Sequence, residues 1–354
     1  MIISIKVRLE PNNKQNSKMF QSAGTARWSY NWALSKQQEN YNQGNKFLRD
    51  GVLRKELTQL KKTDKFSWLK HYSNNITKQA IKDCCNAYKN FFKGLAEPPK
   101  FKSRKKSKPS FYQDTAKIKF TSTHVRLEKI GWIRLSERNR IPIDTKYMNP
   151  RISFNGVHWF ISVSVEIENI KPKLTSESIG IDLGIKDLAI CSNGMTFKNI
   201  NKTSKVKKLE KKMRRLQRRV SKKYQLNKKG GSYVKTRNII KLEKRIRKVY
   251  KNLDNIRTNY IHQITAKIVK AKPSKVVMED LNVSGMMKNR HLSKAIAQQK
   301  FYEFITIMKY KCERIGSKFI QADRFYPSSK TCSECGAIKK DLKLSDRTYI
   351  CPEC

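Results

Sequence analysis

The chain has 354 residues, with 78 Lys plus Arg against 28 Asp plus Glu, a formal net charge of +50 and a pI near 10.2. Cations of one sign spread along most of a sequence repel one another unless a polyanion is present, which points to nucleic acid as the partner. A hydrophobic share of 38% with 5 Trp, 14 Tyr and 15 Phe excludes a disordered basic tail, and no apolar run approaches the ~20 residues that a membrane-spanning helix needs.

The first predicted element is a strand. Ile3, Ile5, Val7 and Leu9 alternate with Ser4, Lys6, Arg8 and Glu10, a period of two rather than the apolar block of a secretory signal, so a cytoplasmic location is expected. Pro11 to Lys18 is polar. Three helices follow, through Phe20, Ala23, Tyr30, Ala33 and Leu34, through Leu53, Leu57 and Leu60, and through Ile76, Ala80, Cys84, Tyr88 and Phe91. Asn75, Gln79 and Lys82 on the third helix can lie outside its apolar stripe, where polar side chains either face solvent or read base edges.

Glu97-Pro98-Pro99 ends the helical part, and the loop from Lys100 to Lys108, with Lys100, Lys102, Arg104 and Lys105, suits phosphate contact. From Ser110 to Ile167 the pattern becomes β, ending in strict alternation through Trp159, Ile161, Val163, Val165 and Ile167. Short strands with Gly and Asn turns predict a compact β-barrel, which the first strand joins, with the helical part (11–97) inserted. Lys171-Pro172-Lys173 is a linker.

Ser178 to Gly194 then reads as a strand with Ile179, Ile181 and Leu183 on one face and Asp182 on the other, a second strand over Ile185–Cys191, and Asn193-Gly194 favouring a type I′ turn. A strand carboxylate facing away from the core invites a divalent metal; the alternative is a solvated residue of an ordinary hairpin. Val206, Leu209, Met213, Leu216 and Val220, and after Gly230-Gly231 the series from Leu242 to Tyr260, step by three and four, which predicts two long helices forming an antiparallel hairpin. Their other faces carry Lys211, Arg214, Arg215, Arg218 and Arg219, then Lys244, Arg245, Arg247 and Lys248; a charge run on a helix is commonly a solvated face, but charges nearly all of one sign point to nucleic-acid contact.

Lys275 to Leu281 is a short apolar strand ending in acids. Glu279 is positioned to meet Asp182 across neighbouring strands, the arrangement that metal-assisted phosphodiester cleavage uses. Cys332-x-x-Cys335 and Cys351-x-x-Cys354 have the spacing of a four-cysteine zinc ribbon; two disulfides would need an oxidising compartment. Cys84, Cys85, Cys191 and Cys312 fall in apolar patterns and are expected in the core.

Together these segments resemble the TnpB-type RNA-guided nucleases of bacterial transposons, relatives of the type V CRISPR effectors, over essentially the whole chain. Gly180-Ile181-Asp182-Leu183-Gly184 is similar to the first motif of their RuvC-like domain. Glu279-Asp280-Leu281-Asn282-Val283, with Gly285-Met286, is similar to the second. Asp323 to Gly336, including Lys330, resembles the approach to their zinc ribbon. Tyr30-Asn31-Trp32-Ala33-Leu34 and Pro99-Lys100-Phe101-Lys102 resemble parts of their recognition helices and wedge-like barrel.

The resemblance implies an α+β multidomain architecture: a wedge-like β-barrel (1–10 and 98–173) with an inserted helical recognition domain (11–97), a RuvC/RNase H-like domain (174–330) with the long basic hairpin, and a C-terminal zinc ribbon (331–354). It implies a guide RNA and double-stranded target DNA as partners, Asn75, Lys78 and Gln79 near a short adjacent motif, structural zinc, and Mg²⁺ at Asp182 and Glu279. The family's third catalytic carboxylate, from an Asp-Arg-Asp segment after the last cysteine, has no counterpart up to Cys354, and Asp341 and Asp346 fall inside the ribbon loop. The expected activity is therefore guided DNA binding without efficient cleavage, as in TnpB-like nuclease-dead repressors. The other outcomes are an active Mg²⁺-dependent nuclease with a substitute acid, a decayed or shortened transposon gene, and, from a different class, a basic RNA-binding protein indifferent to guide sequence.

Overall fold

The computed structural model describes residues 1–168, 171–324, 326–327, 330–332, 334–339, 341 and 349–354. Asp346, and Phe325, Ser328, Ser329 and Ser333 of the segment leading into the cysteines, lie outside them. The chain divides into two compact units, Met1–Glu168 and Asn169–Cys354.

The first unit comprises β1 (Ile2–Glu10), the helices α1 (Asn13–Asn42), α2 (Asp50–Leu60) and α3 (Asn74–Phe92), and six strands: β2 (Ser110–Tyr112), β3 (Lys119–Phe120), β4 (His124–Leu127), β5 (Gly131–Leu135), β6 (Tyr147–Phe154) and β7 (Trp159–Glu166). The polar stretch after β1 is the first two turns of α1. The Asn12 side chain accepts the Gln15 N–H and the Gln15 side chain accepts the Asn12 N–H, a capping box that satisfies backbone donors where no apolar residue marks the helix.

The strands form one antiparallel sheet in the order β2-β6-β7-β1-β5-β4-β3, with the N-terminal strand at its centre. Phe120 on edge strand β3 packs its ring 4.6 Å from that of Tyr147 on β6, so the sheet curls nearly shut around Val7, Val125, Ile133, Ile152 and Ile161. A separate core joins α1, α2 and α3 through Leu34, Leu53, Leu57, Ile81 and the buried Cys84 and Cys85.

The second unit opens with β8 (Ser178–Leu183), β9 (Asp187–Cys191) and β10 (Thr196–Lys198), followed by α4 (Ser204–Leu226). A small hairpin of β11 (Lys228–Lys229) and β12 (Ser232–Tyr233) leads to α5 (Arg237–Lys270). Then come β13 (Lys275–Glu279), α6 (Val283–Met286), α7 (Ser293–Gln299), α8 (Phe301–Ile315) and β14 (Lys318–Ala322). The five-stranded sheet runs β10-β9-β8-β13-β14, an antiparallel meander to which β13 and β14 add in parallel with β8. Ile179, Ile181, Val276 and Met278 turn one face of it onto Ile261, Ile264, Ile268 and Phe304 of α5 and α8. In α4 and α5, Tyr224 donates to Glu243 at one end and Arg257 pairs with Glu210 at the other, which fixes the two helices as antiparallel.

One turn differs from expectation. Gly194 has φ +83° but Asn193 does not enter the left-handed region, and Gly194 N–H bonds to Cys191 C=O while Cys191 N–H bonds to Met195 C=O. This is a three-residue loop closed by a left-handed glycine rather than a two-residue type I′ turn, which requires positive φ at both central residues.

Candidate functional site

Asp182 and Glu279 end adjacent parallel strands. The register pairs Lys275 with Ser178 and Met278 with Ile181, so the next step sets Glu279 beside Asp182, both on the face opposite the apolar core. Both residues are exposed. The Asp182 carboxyl is nevertheless held above its ordinary value, first by partial desolvation and then by the Glu279 charge, while the Leu183 backbone works the other way. Like charges crowded together in this way are relieved by a cation. Two carboxylates are also the share of ligands that a protein commonly offers Mg²⁺, which takes the rest from water and substrate phosphates. The residues therefore fit one such ion.

Asp280 points elsewhere: its carboxylate accepts Arg324 Nη2 at 2.5 Å and Gln321 Nε2 at 3.4 Å. Among the described residues, the only cluster of three or more metal-ligating side chains is that of the four cysteines.

The loop after Asp182 is pinned by side chains that no local pattern announces. Gln299 Nε2 donates to Gly184 C=O at 3.0 Å, Asn199 Nδ2 to Ile185 C=O at 2.7 Å, and Lys202 Nζ to Lys186 C=O at 3.1 Å. A Cβ at Gly184 would meet Asp187 C=O at 3.0 Å, a tight approach that favours glycine at that bend. Asn201 and Gln298 tie the same loop region to the hairpin through Arg257 and Glu210.

The Sγ atoms of Cys332, Cys335, Cys351 and Cys354 all lie within 4.8 Å of one another, with Cys332 to Cys354 and Cys335 to Cys351 at 3.5 Å. Those separations exceed a disulfide bond of ~2.05 Å and match the edges of a tetrahedron of thiolates around zinc at ~2.3 Å. Gly336, at φ +78°, turns the chain after the first knuckle, and Cys332 N–H bonds to Ala337 C=O at 2.9 Å. Backbone N–H groups of Glu353 and Cys354 aimed at Cys351 Sγ pull its thiol down, while the crowded neighbouring sulfurs push Cys354 up. The four cysteines could hold a zinc ion.

On α4 and α5, Lys212, Arg215, Arg219, Arg245 and Lys248 surround a trough of about 700 Å³ floored by Leu216 and Val249. None of the five forms an ion pair among the described residues. Lys211, Arg214 and Arg218 are exposed on the same helix.

In the first unit, Lys78 is exposed on α3, but the amides beside it are engaged. Asn75 Nδ2 donates to Asp114 at 2.5 Å, and Gln79 Nε2 donates to Asp83, which also accepts from Arg151 Nη1 and Nη2 at 2.8 Å each. Of the basic loop, Lys100 pairs with Glu97 at 2.9 Å, and Arg104 and Lys105 are exposed. Lys102 is anchored: Asn31 clamps its backbone N–H at 2.8 Å and C=O at 2.9 Å, and its ammonium sits 3.4 Å from the centre of the Tyr30 ring. Burial pulls that ammonium's pKa down, with Arg151 adding to the effect. Lys330 is partly buried and leads into Cys332, its backbone N–H bonded to Pro327 C=O.

A second basic recess, of about 450 Å³, was not visible in the sequence pattern. Lys61, Lys62, Lys70, Lys117 and Lys129 line it, with Lys61 only 8% exposed and donating to Asn74 Oδ1 and Thr77 Oγ1.

Comparison with known proteins decides the family. The chain is 30% identical to InsQ of Escherichia coli (strain K12), whose name provisionally describes an RNA-guided DNA endonuclease; the match spans 98% of this chain and 87% of the relative. The chain belongs to the TnpB/IS605 family. A Streptomyces pristinaespiralis protein with the same kind of name is 27% identical over 98% of this chain and 84% of its own length. Residues 162–290 match the family model described as "Probable transposase", residues 301–354 that of a "Cas12f1-like, TNB domain", and residues 1–46 a "Helix-turn-helix domain". In this TnpB/IS605 protein, residues 1–46 contain β1 and a single 30-residue helix. The α+β fold resembles that of Cas12f1 in its cryo-EM complex with sgRNA and target DNA, at TM-score 0.61 and 13% identity, over 96% of this chain and 80% of that one. No helix among the described residues is long and apolar enough to cross a membrane.

Proposed function

We propose that this protein binds a transposon-derived guide RNA and, through it, double-stranded DNA carrying a short adjacent motif. The observation that carries the reading is the trough of five cations on α4 and α5, without ion pairs among the described residues, in a +50 chain whose relatives are named as RNA-guided DNA endonucleases. A guide–target duplex presents two phosphate backbones, and a protein can hold them by charge and shape while base pairing reads the sequence. On this reading the first unit is a wedge-like barrel with a recognition domain, the sheet of the second unit is RuvC-like, and the protein works in the bacterial cytoplasm on the nucleoid.

We further propose that this chain binds DNA rather than cutting it, acting as a repressor of transcription by occupying its target. Among the described residues, the strand register brings two carboxylates together, Asp182 and Glu279, and a two-metal site needs more ligands than these. Base pairing and phosphate contacts depend on neither. The second reading, a Mg²⁺-dependent endonuclease, is favoured by the register that brings the two acids together. Bound there, Mg²⁺ would stabilise charge on the phosphodiester oxygens; Asp182 and Glu279 would hold it, and the pinned loop from Gly184 to Lys186 would keep Asp182 in place.

The test is to purify the protein with its co-expressed RNA and incubate it with matched and mismatched duplexes in Mg²⁺. Guide-dependent binding that leaves matched DNA intact is the expected result. Cleavage of matched DNA that Asp182→Ala abolishes would replace the repressor with the nuclease. Binding indifferent to guide sequence would remove both.

A further inference from the structure

At the C-terminal ends of α1 and α3 lies a cleft of about 600 Å³ whose chemistry differs from the rest of the surface. Phe47, Tyr88 and Phe92 hold one another at centroid distances of 5.7 to 5.9 Å, Phe47 meeting Phe92 edge-on at 89°. The arrangement leaves Phe92 62% exposed, and Tyr41 of α1, lining the same cleft, is 79% exposed. Aromatic surface gathered in one concavity is costly in water and marks a binding site.

Two features select the occupant. Exposed Lys46, Lys89 and Lys93 each sit next in sequence to one of the three rings. Two copies of this chain docked at the cleft would bring those cations together on molecules of formal charge +50, whereas a polyanion would neutralise them. The lining also contains the exposed amides of Gln38 and Asn42, which make no hydrogen bond among the described residues, unlike Gln37 and Asn40, which are committed to Leu48 and Lys46. Flat apolar faces, amide-compatible edges and an anionic backbone are combined in unpaired nucleotides.

We propose that this cleft binds unpaired bases of single-stranded RNA, stacking them on Phe92 and Tyr41 while Lys46, Lys89 and Lys93 meet the phosphates. The inference rests on the nucleic-acid reading above and assigns a separate site with a different preference: unstacked bases in the cleft, duplex backbone in the trough. Base stacking on an aromatic ring accounts for roughly 5- to 150-fold in affinity per base.

The experiment uses the full chain and a short single-stranded RNA carrying one 2-aminopurine. Wild type should quench the probe on binding, and Phe92→Ala or Tyr41→Ala should weaken binding about tenfold and lose the quenching, with Phe92→Trp restoring both. Duplex binding should be unchanged. Both rings are exposed, so the variants should melt with wild type; if Phe92→Ala lowers the melting temperature, Tyr41→Ala decides. Unchanged RNA affinity and quenching in both variants, with binding still reduced by Arg215→Ala/Arg219→Ala, would overturn this inference alone. No binding of any nucleic acid by wild type would overturn the nucleic-acid reading as well. A wild-type dimer in light scattering that Phe92→Ala dissociates would assign the cleft to a second copy instead.

Discussion

Replacing Arg215 and Arg219 with Ala removes two of the five cations around the trough on α4 and α5. Each phosphate neutralised on a duplex releases counterions, so log K falls against log salt with a slope of about 0.9 per contact. If all five cations meet phosphates, they contribute about 4.5 to that slope and the double variant retains about 2.7. Salt rising fourfold, from about 50 to about 200 mM, then weakens this part of the binding about 500-fold in wild type and about 40-fold in the variant. Both residues are exposed, so stability should be unchanged. Filter binding of a guide–target duplex across that salt range measures the slope directly. A double variant with the wild-type slope would show that the trough does not hold the duplex, whatever its affinity at one salt concentration.

Three further outcomes are expected. Metal analysis should find about one zinc per chain, lost in Cys351→Ser or after chelation, and a protein that keeps full zinc without Cys351 would refute the four-cysteine site. Because the Asp182 carboxyl is raised in the folded state, folding loses stability as pH climbs from 3.8 through that raised value. Asp182→Asn should therefore raise the melting temperature at about pH 7 without Mg²⁺, and a fall instead would remove the claimed repulsion. Lys61 runs in the opposite direction: burial, with Lys78 beside it, lowers it from 10.5 to about 8, so stability should rise as pH passes from about 8 toward 10.5. A full shift of that size corresponds to about 3 kcal/mol, and Lys61→Met should abolish the rise in urea melts at about pH 8 and about pH 10.

Patterns carried by consecutive residues were legible before the structure. The alternation around Asp182, the three-and-four spacing from Val206 to Ile256 and the two Cys-x-x-Cys knuckles each encode their own geometry. Features that depend on distant partners were not. Asn75 and Gln79 look like free amides on a helix face, yet Asp114 lies 39 positions from Asn75, and Asp83, which holds Gln79, is itself turned by Arg151 on a sheet strand, 68 positions away. Lys102 reads as one more cation of a basic loop, while Asn31, 71 positions earlier, fixes its backbone. Gln299 reaches Gly184 across 115 positions. The start of α1 was different: Asn12 and Gln15 carried a capping signal in the sequence, obscured by the lack of apolar residues in the first turns.

The parallel pairing of β8 and β13 has a consequence for how the protein is made. Ser178 and Lys275 are 97 positions apart (275 − 178), with the whole α4–α5 hairpin synthesised between them. During translation the β8–β9–β10 meander can close locally, but the other edge of β8 must wait, its N–H and C=O groups open to any passing strand. Such an edge invites nascent copies to zip together. The Lys- and Arg-rich hairpin that emerges during this wait puts strong mutual repulsion on each unfinished chain, so the charge that suits a nucleic-acid partner also guards β8 until β13 arrives.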